Sequence, residues 1–152
     1  MPETQIRGLT LWRPWAWAIC HAGKRVENRD WRPPAWMLGC FIAIHAGKTL
    51  DDQALAELQE DGSLDLATAE VPRDGGPQGI VAVARLARVV DASAQLPPDQ
   101  WRWFFGAYGW VLEDVVAIEP VPCRGARSLW PVPPEVLVAV RERAAAGKRL
   151  GP

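Results

Sequence analysis

Six side chains suited to holding a phosphate or a nucleobase fall between Leu9 and Arg29: Trp12, Arg13, Trp15, Lys24, Glu27 and Arg29. A guanidinium offers phosphate a planar fork and an ammonium offers a compact charge, so Lys24 and Arg29 together suit an anion. An indole or a guanidinium can lie flat on a base, worth about 1–3 kcal/mol per stacked base, and Trp12, Arg13 and Trp15 are placed for that. Glu27 has three available jobs. It can orient Lys24 or Arg29, accept from a base or a ribose hydroxyl, or serve as a general base if burial raises its pKa. The plain alternative is a surface ion pair from Glu27 to Lys24 or Arg29, worth under about 1 kcal/mol. For Trp15 the plain alternative is a staple between helix and core.

Two later stretches extend this set. His45 and Lys48, in His45-Ala46-Gly47-Lys48, leave an apolar run at a glycine turn. A histidine there can act as a general acid or base or touch a nucleotide; a core histidine bonded to backbone fits equally well. Arg127 and Ser128 lie in the basic run Arg124 to Trp130, which reads either as a second phosphate holder or as exposed loop. His21 has no evident partner, and two histidines without clustered carboxylates predict no metal site and no cofactor.

The elements that must position these residues follow from pattern. Ile6 to Leu11 reads as a strand, Pro14 to Ala22 as a two-turn helix with proline at its start and Gly23 as its stop. Lys24 to Arg29 reads as extended, and Trp31 to Pro34 as a loop that excludes helix. Gly39 to Ala46 is a buried strand and Asp51 to Glu60 an amphipathic helix burying Ala54, Leu55 and Leu58. Residues 61–78 are polar and rich in Gly and Pro, the expected mobile connection. Gly79 to Val90 is the longest strand, and Pro97 to Phe105 a helical turn with its Trp and Phe packed inward. Tyr108 to Ile118 is another strand, after which Pro120 and Pro122 argue against a central strand. Pro134 to Ala146 is a final helix with Val136, Leu137 and Val140 on its apolar face, and the tail from Gly147 is expected to fray. This order does not alternate as βαβ units, so the expectation is an α+β domain around a small, partly open barrel.

Size and composition bound the rest. A chain of 152 residues with 49% hydrophobic and 23% charged residues predicts one globular domain spanning 1–152. No run is long enough for a membrane span, and Met1 to Gln5 lacks the start of a signal peptide, so the expected address is cytoplasmic. Three cysteines, Cys20, Cys40 and Cys123, with no close pair argue against disulfides and a cysteine zinc site, leaving buried inert thiols. The net charge is -1. Its distribution is uneven: residues 1–50 carry seven Lys/Arg against three Asp/Glu, 51–119 four against thirteen, and 120–152 six against two. The basic ends either assemble one positive face or spread around the fold. Nine tryptophans must mostly be core, but Trp12, Trp15, Trp31 and Trp36 sit in polar, turn-rich surroundings that suit a binding surface.

One order of motifs carries further meaning: Trp12-Arg13-Pro14-Trp15-Ala16, Gly23-Lys24-Arg25-Val26-Glu27-Asn28-Arg29, His45-Ala46-Gly47-Lys48, the long strand Gly79 to Val90, Tyr108-Gly109-Trp110-Val111, and Pro122-Cys123-Arg124-Gly125 leading to Leu129-Trp130. In this order the chain resembles the ASCH (activating signal cointegrator homology) domain, a family of the PUA-like superfamily of RNA-associated β-barrels. The resemblance implies a small mixed PUA-like barrel of about five or six strands with flanking short helices, and a cleft beside it lined by the motif. It implies association with nucleic acid or modified nucleosides, since family members bind nucleic acid, cleave RNA or hydrolyse acetylated cytidine. In the acetylcytidine hydrolase the position matched by Glu27 is a threonine nucleophile, and a central-strand glutamate falls where Val81 to Leu86 reads Val-Ala-Val-Ala-Arg-Leu here. That activity is therefore not expected.

The expectation is thus RNA, single-stranded nucleic acid or nucleotide binding in a basic, Trp-lined cleft. Trp12, Arg13, Trp15, Lys24, Glu27, Arg29, Lys48, Arg127 and Ser128 would contact the ligand. The alternative is a metal-independent ribonuclease or nucleoside hydrolase in which Lys24, Glu27 and His45 are catalytic. A protein-interaction surface on the acidic helix Asp51 to Glu60 is a third reading, with no feature specific to it.

Overall fold

The computed structural model describes residues 6–62 and 70–151. The mobility expected of residues 61–78 falls in part on 63–69, and the signal-peptide reading on 1–5; both lie outside the described residues.

Alternating apolar residues build a single mixed sheet. Its strands are β1 (Arg7–Arg13), β2 (Val26–Arg29), β3 (Phe41–Leu50), β4 (Gly79–Val90), β5 (Tyr108–Val121), β6 (Leu129–Pro131) and β7 (Lys148–Arg149). The spatial order is β2-β5-β4-β3-β1-β6, with β7 on β5. β1 runs parallel to β3, pairing Leu9 with Ile44, and every other pairing is antiparallel. Leu9, Leu11, Ile42, Ile44, Ala84, Leu86, Trp110 and Leu112 bury one face in a common core. The expected barrel stays open, because β2 and β6 do not pair. A side chain spans part of the gap instead: Arg29 of β2 donates from Nη2 to the Thr10 carbonyl of β1 at 2.9 Å.

Among the described residues three α-helices cover the sheet: α1 (Trp15–His21), α2 (Asp52–Glu60) and α3 (Pro134–Ala146). Seven residues make a marginal helix in isolation. α1 holds because Ala16, Trp17, Ala18 and Ile19 are buried and because Arg25 donates to the Ile19 carbonyl at 2.9 Å. Pro14 caps this helix rather than opening it. Asp51 caps α2, accepting from Ala54 N–H at 3.0 Å, and Ala54, Leu55 and Leu58 are buried as expected. α3 has the expected bounds but fully buries only Val140.

Several features differ from expectation. β3 does not turn at Gly47 but continues to Leu50, because pairing with β1 extends that far. β5 runs through Pro120; register irregularities between Ile80 and Ala82 absorb the missing donor. Of the aromatic residues in the 97–105 turn only Trp103 is buried, while Trp101 and Phe105 point outward. The tail is hydrogen-bonded as far as Gly151: Lys148–Arg149 pairs with β5, Leu150 N–H reaches the Val115 carbonyl at 2.7 Å, and Arg25 donates to the Gly151 carbonyl at 2.7 Å. The cysteines are free and half-buried rather than buried, with burial pushing the Cys20 thiol up to about 12. No helix among the described residues is long and apolar enough to cross a membrane.

Candidate functional site

β1 separates two hollows, and Thr10 belongs to both. Leu9 and Leu11 face the core, so alternation turns Thr10 and Trp12 to the other face.

The first hollow, about 330 Å³, gathers Trp12, Trp15, Lys24, Glu27, Arg29 and Phe105. The sharp bend at Gly23 (φ +72), which only glycine adopts freely, starts it. Gln100, buried, clamps that bend from both sides, donating to the Gly23 carbonyl at 2.9 Å and accepting from Arg25 N–H at 2.8 Å. Asn28 fixes the other wall, donating to the Trp103 carbonyl at 2.8 Å and accepting from Phe105 N–H at 2.9 Å. Phe105 and Trp12 are 59% and 57% exposed, so both present open aromatic surface.

Lys24 is only 1% exposed. Its ammonium donates to the Val26 carbonyl, lies 3.5 Å from Glu27 Oε1 and sits 5.6 Å from the Trp15 ring. Desolvation lowers its pKa, opposed by Glu27 and reinforced by Arg29. Arg29 Nη2 lies 3.2 Å from Glu27 Oε2. The carboxylate is thus flanked by two cations. Lys24 is spent on protein groups, and Arg29 carries the one buried side-chain polar atom without a partner among the described residues, Nε.

The second hollow, about 500 Å³, lies between β3 and the 122–128 loop. Lys48, Arg124 and Arg127 stand exposed at its rim, and no ion pair among the described residues engages them. Lys48 from the basic N-terminal segment therefore meets Arg124 and Arg127 from the basic C-terminal one. Acids of the middle segment are occupied elsewhere: Glu113 and Asp114 hold Arg85, each at 2.8 Å, and Asp61 holds Arg102.

His45 is buried on this hollow's floor in a hydrogen-bond chain whose directions are forced. A carbonyl only accepts, so Nε2–H donates to the Cys123 carbonyl at 2.9 Å. Burial lowers the pKa, outweighing the bond to Cys123 that raises it, so the ring is neutral and Nδ1 accepts. Thr10 Oγ donates to Nδ1 at 3.1 Å and itself accepts from Trp130 Nε1–H at 3.1 Å. Gly125 lies over this pair. A Cβ there would sit 2.4 Å from Thr10 Oγ and 2.7 Å from the imidazole.

The structure therefore divides the expected residues. Trp12, Trp15, Lys24, Glu27 and Arg29 share one hollow, and His45, Lys48 and Arg127 share the other. Arg13 is in neither, and backbone carbonyls engage its guanidinium. Its guanidinium donates to the carbonyls of Gly47 at 3.0 Å, Lys48 at 2.9 Å and Asp74 at 2.6 Å, tying β1 to β3 and the 72–76 turn. Ser128 is exposed at φ +59 outside both hollows. Trp36 is exposed away from them, and Trp31 packs edge-on against Trp110. His21 contacts the Trp17 ring at 5.2 Å. Thr10, Gln100, Phe105 and Gly125 were not among the candidates. Thr10 carried a signal in its place two residues before Trp12 on an alternating strand, and Gly125 in its place in the Pro122-Cys123-Arg124-Gly125 motif. Among the described residues no three of His, Cys, Asp and Glu converge as metal ligands would.

No family model matches this sequence, and no curated protein does. Solved structures do match. The ASCH protein of Zymomonas mobilis superposes with a TM-score of 0.51 at 17% identity, over 97% of this chain and 99% of that one. Two single-substitution variants of it give the same TM-score of 0.51. One is 18% identical over 95% of this chain and 99% of its own, the other 17% identical over 97% and 100%. At such identity the likeness concerns architecture, and it spans both chains nearly end to end: the protein has the fold of the ASCH domain, the one its motifs resemble.

Proposed function

We propose that this protein binds RNA, another single-stranded nucleic acid or a nucleotide across β1, with a base in the Trp12 hollow and phosphate in the Lys48 hollow. One observation carries the reading: open aromatic surface and unpaired cations occupy adjacent hollows that share Thr10. Base-stacking platforms beside a basic groove are the general means of holding a single strand. Lys48, Arg124 and Arg127 take the role of phosphate clamp, because Lys24 is buried against its own backbone and Glu27. Lys24 and Arg29 hold Glu27 in place, reversing the direction in which a carboxylate orients cations. The ASCH fold is in keeping with such a ligand.

Anisotropy of a labelled single-stranded oligonucleotide tests this. Each phosphate contact contributes about 0.7 to the salt slope, so Lys48→Ala/Arg124→Ala/Arg127→Ala should flatten it by about 2. Trp12→Ala should weaken binding by about 1–3 kcal/mol at every salt concentration. Unchanged affinity and slope in both variants would remove the proposal.

A second reading, metal-independent RNA cleavage, is favoured by the neutral His45 beneath three cations. A 2′-hydroxyl would pass its proton to Thr10 Oγ as Thr10 gives its own to His45 Nδ1, while the cations stabilise the phosphate. Cleavage in chelator that is lost on His45→Ala supports it, and absence of cleavage leaves the binding role alone.

A further inference from the structure

The polar end of the Trp12 hollow offers an uncommon pairing of acceptors and donors. Glu27 brings two carboxylate oxygens, Oε1 3.5 Å from Lys24 and Oε2 3.2 Å from Arg29. An ionised carboxylate has about four acceptor sites, so each oxygen retains capacity. Beside it, Arg29 commits Nη2 to the Thr10 carbonyl and Glu27, while Nε–H is buried with no acceptor. A buried donor left unsatisfied is costly, and a ligand oxygen that reaches it recovers that cost. Asn28 in the same wall is anchored at both ends of its amide, which holds that wall in place. The charged groups that face a ligand are two acceptors next to a guanidinium. The hollow's volume of about 330 Å³ lies at the small end of ligand sites, the scale of one nucleoside.

Resting on the nucleotide-binding reading above, we infer that the Glu27–Arg29 pair selects a guanine base, with Trp12 and Phe105 supplying its stacking surface. Guanine alone among the common bases sets two adjacent N–H donors, N1–H and the 2-amino group, beside a carbonyl. Those donors match the two Glu27 oxygens, and O6 matches the Arg29 guanidinium. Adenine and cytosine offer one donor followed by a ring-nitrogen lone pair, which a carboxylate oxygen repels. Uracil places its single N–H between two carbonyls, with the same conflict. A site built to hydrogen-bond a particular edge rejects analogues that leave its buried groups unpaired, which is stronger discrimination than shape alone gives.

The test is calorimetric titration of the protein with GMP, IMP, AMP, CMP and UMP at one salt concentration. The phosphate is common to all, so differences report the base. GMP should bind tightest. IMP, which keeps N1–H and O6 but lacks the 2-amino group, should bind roughly ten-fold more weakly, the loss of one charge-assisted bond. AMP, CMP and UMP should be weaker still. Glu27→Gln, which replaces one acceptor by a donor, should bring GMP to the affinity of AMP; its thermal midpoint shows whether the hollow survives. Equal affinity for all five nucleotides, lost on Trp12→Ala, would overturn guanine selection and leave nucleotide binding standing. No binding of any nucleotide or oligonucleotide would overturn both.

Discussion

Thr10→Val is the sharpest probe of the structure, because it changes one oxygen for a methyl of similar size. In the wild type that oxygen is the middle of a chain: it accepts from Trp130 Nε1–H at 3.1 Å and donates to His45 Nδ1 at 3.1 Å. Both partners are buried, His45 at 4% and Trp130 at 5% exposure. Valine leaves an indole donor and an imidazole acceptor without partners. Each such orphan costs about 1–3 kcal/mol, but Thr10 lines both hollows, so water can reach part of the gap. The expected loss is about 2–4 kcal/mol, which for a chain of this length lowers the thermal midpoint by roughly 5–15 °C. Thr10→Ser keeps the hydroxyl and loses one methyl, so it should cost only about 1 kcal/mol. Urea denaturation with an unchanged slope separates the two, the midpoint falling far more for valine. Nitrogen shifts of His45 supply a second readout, because the chain demands the neutral tautomer protonated at Nε2. If valine matches serine in stability, or if His45 carries its proton on Nδ1, the hydrogen-bond chain is wrong.

Other predictions rest on separate observations. Burial lowers the pKa of His45, and of His21, from an ordinary 6.5. The unfolded chain therefore binds more protons, and stability should fall as pH drops below about 6.5 until the lower folded values are passed. His45→Gln should remove part of that decline in urea midpoints measured from pH 7.5 to 4.5, and a profile identical to wild type would contradict the buried neutral ring. Arg13→Ala should cost about 2 kcal/mol through lost bonds to the backbone carbonyls of Gly47, Lys48, Asp74 and Gly76 while leaving base stacking intact; a stable variant that no longer stacks would restore Arg13 to the site. Arg25→Ala should speed amide exchange at Leu150, whose N–H reaches Val115, because Arg25 anchors the adjacent Gly151 carbonyl. Fast exchange at Leu150 in the wild type would mean that the tail frays after all. Gly125→Ala should push the 122–128 loop off His45, costing about 1–3 kcal/mol by overpacking and weakening oligonucleotide binding along with it.

What could be read in the sequence, and what could not, divides along a physical line. Elements set by their own periodicity were legible: the β-branched alternation from Gly79 to Val90 and the helix from Pro134 to Ala146 have the bounds that pattern predicts. The Gly23 bend was legible for the same reason, since a glycine after a short helix marks a left-handed turn. Elements that exist only because a distant partner offers hydrogen bonds were not. β3 extends beyond Gly47 because β1 lies parallel beside it, and the absent Cβ of Gly47 leaves room for the Thr10 methyl, which a Cβ would approach to 2.8 Å. Residues 148–149 form a strand because β5 has a free edge there, not because Lys and Arg favour one.

The same line runs through the site. Local spacing brings Lys24, Glu27 and Arg29 together, so their grouping was legible. Their division of labour was not, because it depends on which nitrogen finds a carbonyl: Lys24 meets that of Val26 and Arg29 that of Thr10. Arg13 shows the cost of ignoring such acceptors. Its guanidinium suits a base as well as a phosphate, but the backbone of Gly47 and Lys48 claims it first. That claim in turn positions the second hollow, for the segment Arg13 holds is the one that carries Lys48 to the rim where Arg124 and Arg127 arrive. Charge that looked like a single basic cleft in the sequence is therefore two kinds of charge. One, Lys24 and Arg29, is buried or half-buried and holds Glu27; the other, Lys48, Arg124 and Arg127, is exposed and outside any ion pair among the described residues. The first should set which ligand is chosen and be nearly indifferent to salt, and the second should set how tightly any strand is held and fade as salt rises.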